Sequence, residues 1–204
     1  VGHSNWMLTL NNLATAYLSV HQLESAKLCC LRVLASPHVM ARDRVLALHG
    51  MARYHQERSE WVALTECCEK ALTLFQEAKE EFIRVGRTQE RFLLFLADAA
   101  EAQGDMGLAR DYDEKAKTIW SEFPGTGDGE FTELVACDRR EAIELLAAGQ
   151  AQEAIQTLTD APNFYRSTLV LGINFSDLHI LTPMMAALKV FIDALVQTGQ
   201  LSHP

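Results

Sequence analysis

The chain is poor in the residues that interrupt helices. Its 204 residues include five prolines and eleven glycines, and the strict alternation of apolar and polar residues that marks strands is scarce. No apolar run approaches the roughly 20 residues that a membrane-spanning helix needs. The sequence therefore predicts an all-α protein with no membrane partner.

Cysteine is also scarce, and its five residues are odd in number, which argues against the disulfide framework of a small secreted domain. We therefore expect reduced thiols and a cytoplasmic location. Two pairs, Cys29-Cys30 and Cys67-Cys68, fall at equivalent places in helical patterns. Adjacent helical residues point about 100° apart, so one member of each pair should face the core as a structural thiol.

Sequence signals for catalysis and for cofactors are missing. The seven histidines show no metal-ligand spacing, and the Gly-rich stretch 125–129 lacks the Gly-Lys-Ser/Thr ending of a phosphate-binding loop. A net charge of −9 and a pI near 5.2 disfavour binding to nucleic acid and to anionic membranes. We expect neither an enzyme nor a resident metal or cofactor.

A repeated sequence pattern occurs along the chain instead. It consists of an apolar run with helical spacing, a short polar turn, and a small residue in a second helical run. Copies lie at 12–26, 96–109 and 142–154. Internal repeats of this kind predict stacked helical hairpins. Three parts follow: repeats one to three at 1–122, a Gly/Pro linker at 123–130, and a continuation of the same solenoid at 131–204.

Local signals predict where several helices begin and end. Ser59 reads as the N-cap of a helix that runs on to Gly86. Pro183 reads as the opening residue of a last helix that ends at Gly199. Residues 163–182 lose helical periodicity, and buried coil, a short strand and a distorted helix all remain open there.

These residues resemble the tetratricopeptide repeat (TPR). The first repeat matches its pattern through Leu13, Ala14, Tyr17 and Ala26. Corresponding positions at 26, 64, 109 and 154 give spacings of 38, 45 and 45 residues, against about 34 in the standard repeat. The pattern is most similar to the long-helix variety of kinesin light chains and of helical sensor domains in bacterial regulators. The resemblance implies a right-handed solenoid of about four hairpins plus a terminal helix.

TPR solenoids bind partners along a concave groove lined by the first helix of each hairpin. The resemblance implies groove positions at Asn11, Asn12, Thr15, His49, Arg53, Arg91, Asp98, Arg139, Arg140 and Lys189. It predicts a scaffold that holds a peptide or helical segment of a partner protein. The alternative is a regulatory domain that senses a small ligand or a signalling peptide for a larger transcription regulator or signalling ATPase. A closed apolar cavity would favour the sensor, and an open polar groove would favour the scaffold.

The last helix is apolar on more than one face, through Met184, Leu188, Phe191 and Leu195 among others. Solenoids normally need a polar cap at each end. We expect this face to be covered by residues 163–182, by a second copy in a homodimer, or by a downstream repeat.

Overall fold

The computed structural model describes residues 2–78, 89–122, 129–160 and 178–201, and these ranges are helical apart from short turns. Nine helices lie within them, numbered here in chain order. They are α1 (Gly2–Ser19), α2 (Leu23–Leu34), α3 (Ala41–Glu57), α4 (Trp61–Glu77), α5 (Gln89–Ala102), α6 (Met106–Glu122), α7 (Gly129–Ala147), α8 (Ala151–Asp160) and α9 (Leu178–Gln197). In these ranges, none of the helices has the length and hydropathy needed to cross a bilayer.

The first compact unit, Val1–Pro124, contains three hairpins: α1–α2, α3–α4 and α5–α6. The first helix of each hairpin packs on the first helix of the next, α1 on α3 and α3 on α5. Each second helix also packs on the following first helix, α2 on α3 and α4 on α5. Each hairpin therefore buries its apolar side against its neighbour, as expected for stacked repeats.

The second compact unit, Gly125–Pro204, contains the hairpin α7–α8 and the terminal helix α9, which packs on both. Its core includes Val135, Ala154, Leu158 and Val190. Four hairpins and a terminal helix thus confirm the predicted all-α class of helical repeats.

Small residues lie where the two helices of a hairpin meet. Ala97 on α5 and Ala109 on α6 are fully buried in one cluster. A methyl group lets two helix backbones approach closely, because little side-chain volume separates them. The equivalent first-helix residues, all buried, are Ala14, Ala52 and Ala142.

Five helices end in the same turn, in which one residue takes a left-handed backbone conformation. In α1 the N–H of Gln22 donates to the carbonyl of Tyr17 (2.8 Å), and the N–H of His21 donates to Leu18 (3.1 Å). This pair of bonds defines a Schellman motif, which satisfies carbonyls that the helix leaves without partners. The left-handed residues, with positive φ, are His21, Ser59, Gly104, Gly149 and Gly199.

Two predicted helix starts are wrong. Ser59 is the left-handed turn residue (φ 55°), so the N-cap of α4 is Glu60, which makes no side-chain capping bond. Helix α9 begins at Leu178, so Pro183 lies inside it and donates no N–H to its hydrogen-bond ladder. A serine suits both a cap and a turn, and a proline is tolerated near a helix start, so the sequence alone does not separate these cases.

Other predictions fall partly outside the described residues. These include the extension of α4 to Gly86, the linker at 123–128 and most of the segment at 163–182. Gly129 and Glu130, assigned to the linker, belong to α7, and residues 178–182 belong to α9.

All five cysteines are reduced and buried. Both members of each pair are enclosed, although one was expected to face the core. Cys30 and Cys68 have almost no exposure, whereas Cys29 and Cys67 lie nearer the surface. Burial raises the pKa of Cys30 to about 12, with Cys29 adding to the shift, and burial also raises the pKa of Cys68. These thiols stay protonated near neutral pH, which suits a packing role.

Candidate functional site

Two rows of side chains on neighbouring first helices bring four of the expected groove positions together, His49 and Arg53 on α3 with Arg91 and Asp98 on α5. Spacings of four and three residues place each row along one helix face. We call this surface the α3–α5 patch. It consists of His49, Arg53 and Gln56 on α3 and of Arg91, Phe95 and Asp98 on α5.

His49 anchors the patch through aromatic contacts with α5. Its ring lies 5.5 Å from the Phe95 ring and 6.0 Å from the Phe92 ring, measured between centroids. Burial, together with the positive charges of Arg91 and Arg53, lowers the pKa of His49 to about 3. His49 is therefore neutral at physiological pH and contributes an imidazole without charge.

Arg53 and Arg91 place two cations near each other on adjacent helices. Arg53 is half-buried and Arg91 is exposed. Burial lowers the pKa of Arg53, Glu57 opposes the shift, and Arg91 adds to it. Arginine nevertheless remains charged at any working pH. The patch thus holds two arginines and one carboxylate, Asp98, on a protein whose net charge is −9.

Gln56 and Asp98 close the other end of the patch. The Nε2 of Gln56 donates to Oδ2 of Asp98 over 2.7 Å. A short bond to a carboxylate is stronger than one between neutral groups. It ties α3 to α5 and holds the Asp98 carboxylate in place.

The predicted positions on α1 are split between buried and exposed sites. Asn11 is buried, and its Nδ2 donates to the backbone carbonyl of Asp43 over 3.1 Å, tying α1 to α3. Its Oδ1 is also buried and has no hydrogen-bond partner. Asn12 and Thr15 are exposed, and the Thr15 hydroxyl donates to the carbonyl of Asn11.

The second unit holds the other three predicted positions. Arg139 is half-buried and Arg140 is buried, both on α7, whereas Lys189 is exposed on α9. A buried guanidinium requires partners, and Arg140 has interactions within the fold. Arg140 is therefore enclosed by the protein instead of presented to solvent.

Gln56 and Phe95 lie in the patch but are not among the predicted groove positions. Both follow a predicted position at helical spacing: Gln56 comes three residues after Arg53, and Phe95 comes four after Arg91. Extending each predicted position by one helical turn would have found them.

A cleft of about 600 Å³ opens between α2, α3 and α4. Leu34, Leu48 and Leu74 contribute apolar surface, while Arg44, Glu66, Glu69, Lys70 and Thr73 also line it. It is open to solvent, unlike the closed apolar cavity expected of a ligand sensor, and charged side chains line part of it. In the described ranges, no group of three or more His, Cys, Asp or Glu side chains could hold a metal.

The architecture matches solved structures along most of its length. The crystal structure of nearly identical TPR-like repeats, from a Podosopora anserina protein described as a kinesin light chain, aligns with a TM-score of 0.62 and 18% identity. The match covers 98% of this chain and 90% of that chain. The chain has a TPR-like repeat fold. A single-residue variant of the same repeats aligns with a TM-score of 0.61, 17% identity and the same coverage.

These TPR-like relatives are similar in fold only, because the sequences are distant. No family profile matches the sequence. No curated protein matches it either. TPR-like repeats commonly serve as protein-interaction modules, since stacked hairpins form extended binding surfaces.

Proposed function

We propose that this chain is a protein-interaction module that binds an acidic peptide segment of a partner across the α3–α5 patch. The observation that carries the proposal is the pair Arg53 and Arg91. These two cations lie on adjacent first helices, close enough that the charge of Arg91 lowers the pKa of Arg53. Glu57 already attracts Arg53, and a carboxylate of the partner would offset the remaining repulsion between the two arginines. Arginine is also suited to gripping a carboxylate with two parallel hydrogen bonds.

The neighbouring side chains supply the rest of a peptide site. Phe95 is half-buried and offers apolar surface beside the charges. Asn12 and Thr15 are exposed on α1, which packs on α3, and an asparagine amide can both donate to and accept from a peptide backbone. His49 is neutral, so it adds no further repulsion between cations.

Binding to synthetic peptides tests the proposal directly. We expect the chain to bind short peptides that contain Glu or Asp on an immobilised peptide array. Replacing the acidic residue of a binding peptide with Gln or Asn should weaken binding about 10-fold or more, because one charge-assisted contact contributes about 1.5–3 kcal/mol. Higher salt should also weaken binding.

The matched variants are Arg53→Ala, Arg91→Ala and, as a control, Arg32→Ala. Arg32 is exposed on α2, outside the patch, so its removal changes the net charge equally. Loss of binding in the two patch variants with retention in the control supports the proposal. Equal binding by all three variants, or capture of peptides regardless of charge, would refute it.

A further inference from the structure

Helix α9 ends in the same turn as the first helices of the four hairpins. The N–H of Gln200 donates to Leu195 (2.9 Å), the N–H of Gly199 donates to Val196 (3.0 Å), and Gly199 has a positive φ. Helix α9 also packs on α7 and α8, as α3 packs on α1 and α2. It therefore has the turn and the contacts of the first helix of a fifth hairpin.

The shared turn permits a position-by-position comparison. Seven residues before the turn residue, the other first helices carry buried alanines: Ala14, Ala52, Ala97 and Ala142. In α9 that position is Ile192, which is 44% exposed. Ala97 shares a cluster with Ala109 of its own hairpin, so this position faces the second helix. Within the described residues, that side of α9 is open.

The open side of α9 carries a regular apolar row, here called the α9 stripe: Met185, Leu188, Ile192 and Leu195. Met185 is 62% exposed and Leu188 is 45% exposed, whereas Leu195 is half-buried at the end of the stripe, where part of its side chain packs against the core of the second unit. The stripe lies opposite Val190, which is buried in the core of the second unit. Spacings of three, four and three residues match the apolar seam of a two-helix coiled coil.

Ile192 lies where the four hairpins have a buried alanine, and its size argues against an ordinary second helix packing on this side of α9. Alanine permits the close approach seen in the four hairpins, and the larger Ile192 does not. Isoleucine and leucine instead suit a wider contact, towards the upper end of the usual range of about 8–10 Å between helix axes. A matching apolar row on the occupant would fill that space.

The stripe is complementary to itself. Its three-four-three spacing reads the same in both directions, so a two-fold axis would place Leu188 against Ile192 of a second copy. The exposed residues Lys189 and Asp193 share one edge of the stripe. The two-fold axis would bring those edges together, and each copy would contribute one cation, Lys189, and one anion, Asp193. Their charges would balance, although each chain carries a net charge of −9.

We propose that the α9 stripe is a homodimer interface in which α9 packs antiparallel on α9 of a second copy. The surface differs from the α3–α5 patch, so this inference is independent of the proposed function. A single helix pair is a small interface, which indicates a reversible dimer.

Sedimentation equilibrium of the full chain tests the dimer. We expect the mass to rise from the 22.8 kDa of one chain towards twice that value as concentration increases. Ile192→Asp should keep the mass at that of one chain, because each copy would then place a negative charge in the apolar interface. The control is Val62→Asp, since Val62 is 75% exposed on α4 and outside the stripe. Circular dichroism checks that both variants keep their helices.

Cysteine cross-linking then tests the orientation. The five native cysteines are buried, so an introduced surface thiol reacts selectively. Mixing Leu188→Cys with Ile192→Cys should give a disulfide-linked dimer efficiently, whereas Ile192→Cys alone should do so poorly. A chain that stays monomeric at about 0.5 mM, a concentration at which even weak interfaces associate, would overturn the proposal. Unchanged association of Ile192→Asp, or efficient self-linking of Ile192→Cys, would also overturn it.

Discussion

The Sγ of Cys30 lies 2.6 Å from the position that a β-carbon on Gly50 would occupy. Gly50 is buried in the middle of α3, where glycine weakens a helix, and Cys30 is buried on α2. The missing side chain lets α2 and α3 approach at this point. The thiol and the glycine therefore form one packing unit between the first two hairpins.

Gly50→Ala should lower the free energy of unfolding by about 1–3 kcal/mol, because the added methyl overpacks the contact with Cys30. The second substitution, Cys30→Ala, should recover much of that loss in the double variant. The control is Gly107→Ala, since Gly107 lies in α6 with only an ordinary 3.7 Å contact to the Asp105 side chain. It should be neutral or slightly stabilising. Urea titrations measure all three, and a stabilising Gly50→Ala would contradict the packing argument.

Ser59→Gly should raise the free energy of unfolding by about 1 kcal/mol, since glycine adopts the left-handed conformation without a steric penalty. Ser59 has φ 55° at a turn where two other hairpins use Gly104 and Gly149. The reverse change, Gly149→Ala, should cost a similar amount. Thermal melts compare the two variants with the parent chain. Shifts of the same sign in both would show that the turn conformation does not determine stability here.

Protonation of His49 should destabilise the fold in acid. Its folded pKa is about 3, whereas an unfolded histidine titrates near 6.5. Between these values the unfolded state binds the extra proton, so stability is complete above about pH 6.5 and falls as the pH drops towards 3. The contribution of this one group is at most about 1.4 kcal/mol per pH unit.

His49→Gln removes this titration and should flatten the fall in stability between about pH 6 and 4, where the unfolded histidine would take up its proton. His38→Gln, which changes an exposed histidine before α3, is the control. Urea midpoints across the pH range give the comparison. Parallel pH profiles for the parent and His49→Gln would show that His49 stays accessible to protons in the fold.

Tyr54→Phe should cost about 1.5 kcal/mol, because it removes the hydroxyl's bond to the exposed Glu24 carboxylate and the bond that the hydroxyl accepts from Nζ of Lys27 (3.4 Å). The buried Tyr54 donates its hydroxyl to Oε1 of Glu24 (2.9 Å) and lies beneath Lys27, whose Nζ is 4.9 Å from the ring centroid. Adding Glu24→Gln to Tyr54→Phe should cost less than the same change in the parent, because the bond is already lost. Strictly additive effects in this double-mutant cycle would indicate that the bond contributes nothing.

The repeat sequence determined the hairpins because their signals are local. Helical spacing of apolar residues, and alanines such as Ala14, Ala97 and Ala109 where two helices meet, lie within one hairpin and can be read without knowing its neighbours. The four hairpins and the terminal helix follow from these signals alone. The glycine turns at Gly104 and Gly149 are equally readable, since few other residues adopt their conformation.

Only the tertiary structure decided what depends on contacts between hairpins. His49 meets Phe95, and Gln56 meets Asp98, because α3 packs on α5, and uneven repeat spacings hide that alignment in the sequence. Cys30 and Cys68 are both enclosed because neighbouring helices cover them. The left-handed turn at Ser59 is set by the Schellman bonds of α3, since serine has no intrinsic preference for that conformation. Propensity acts within one helix, whereas burial and pairing are set by the helices packed against it.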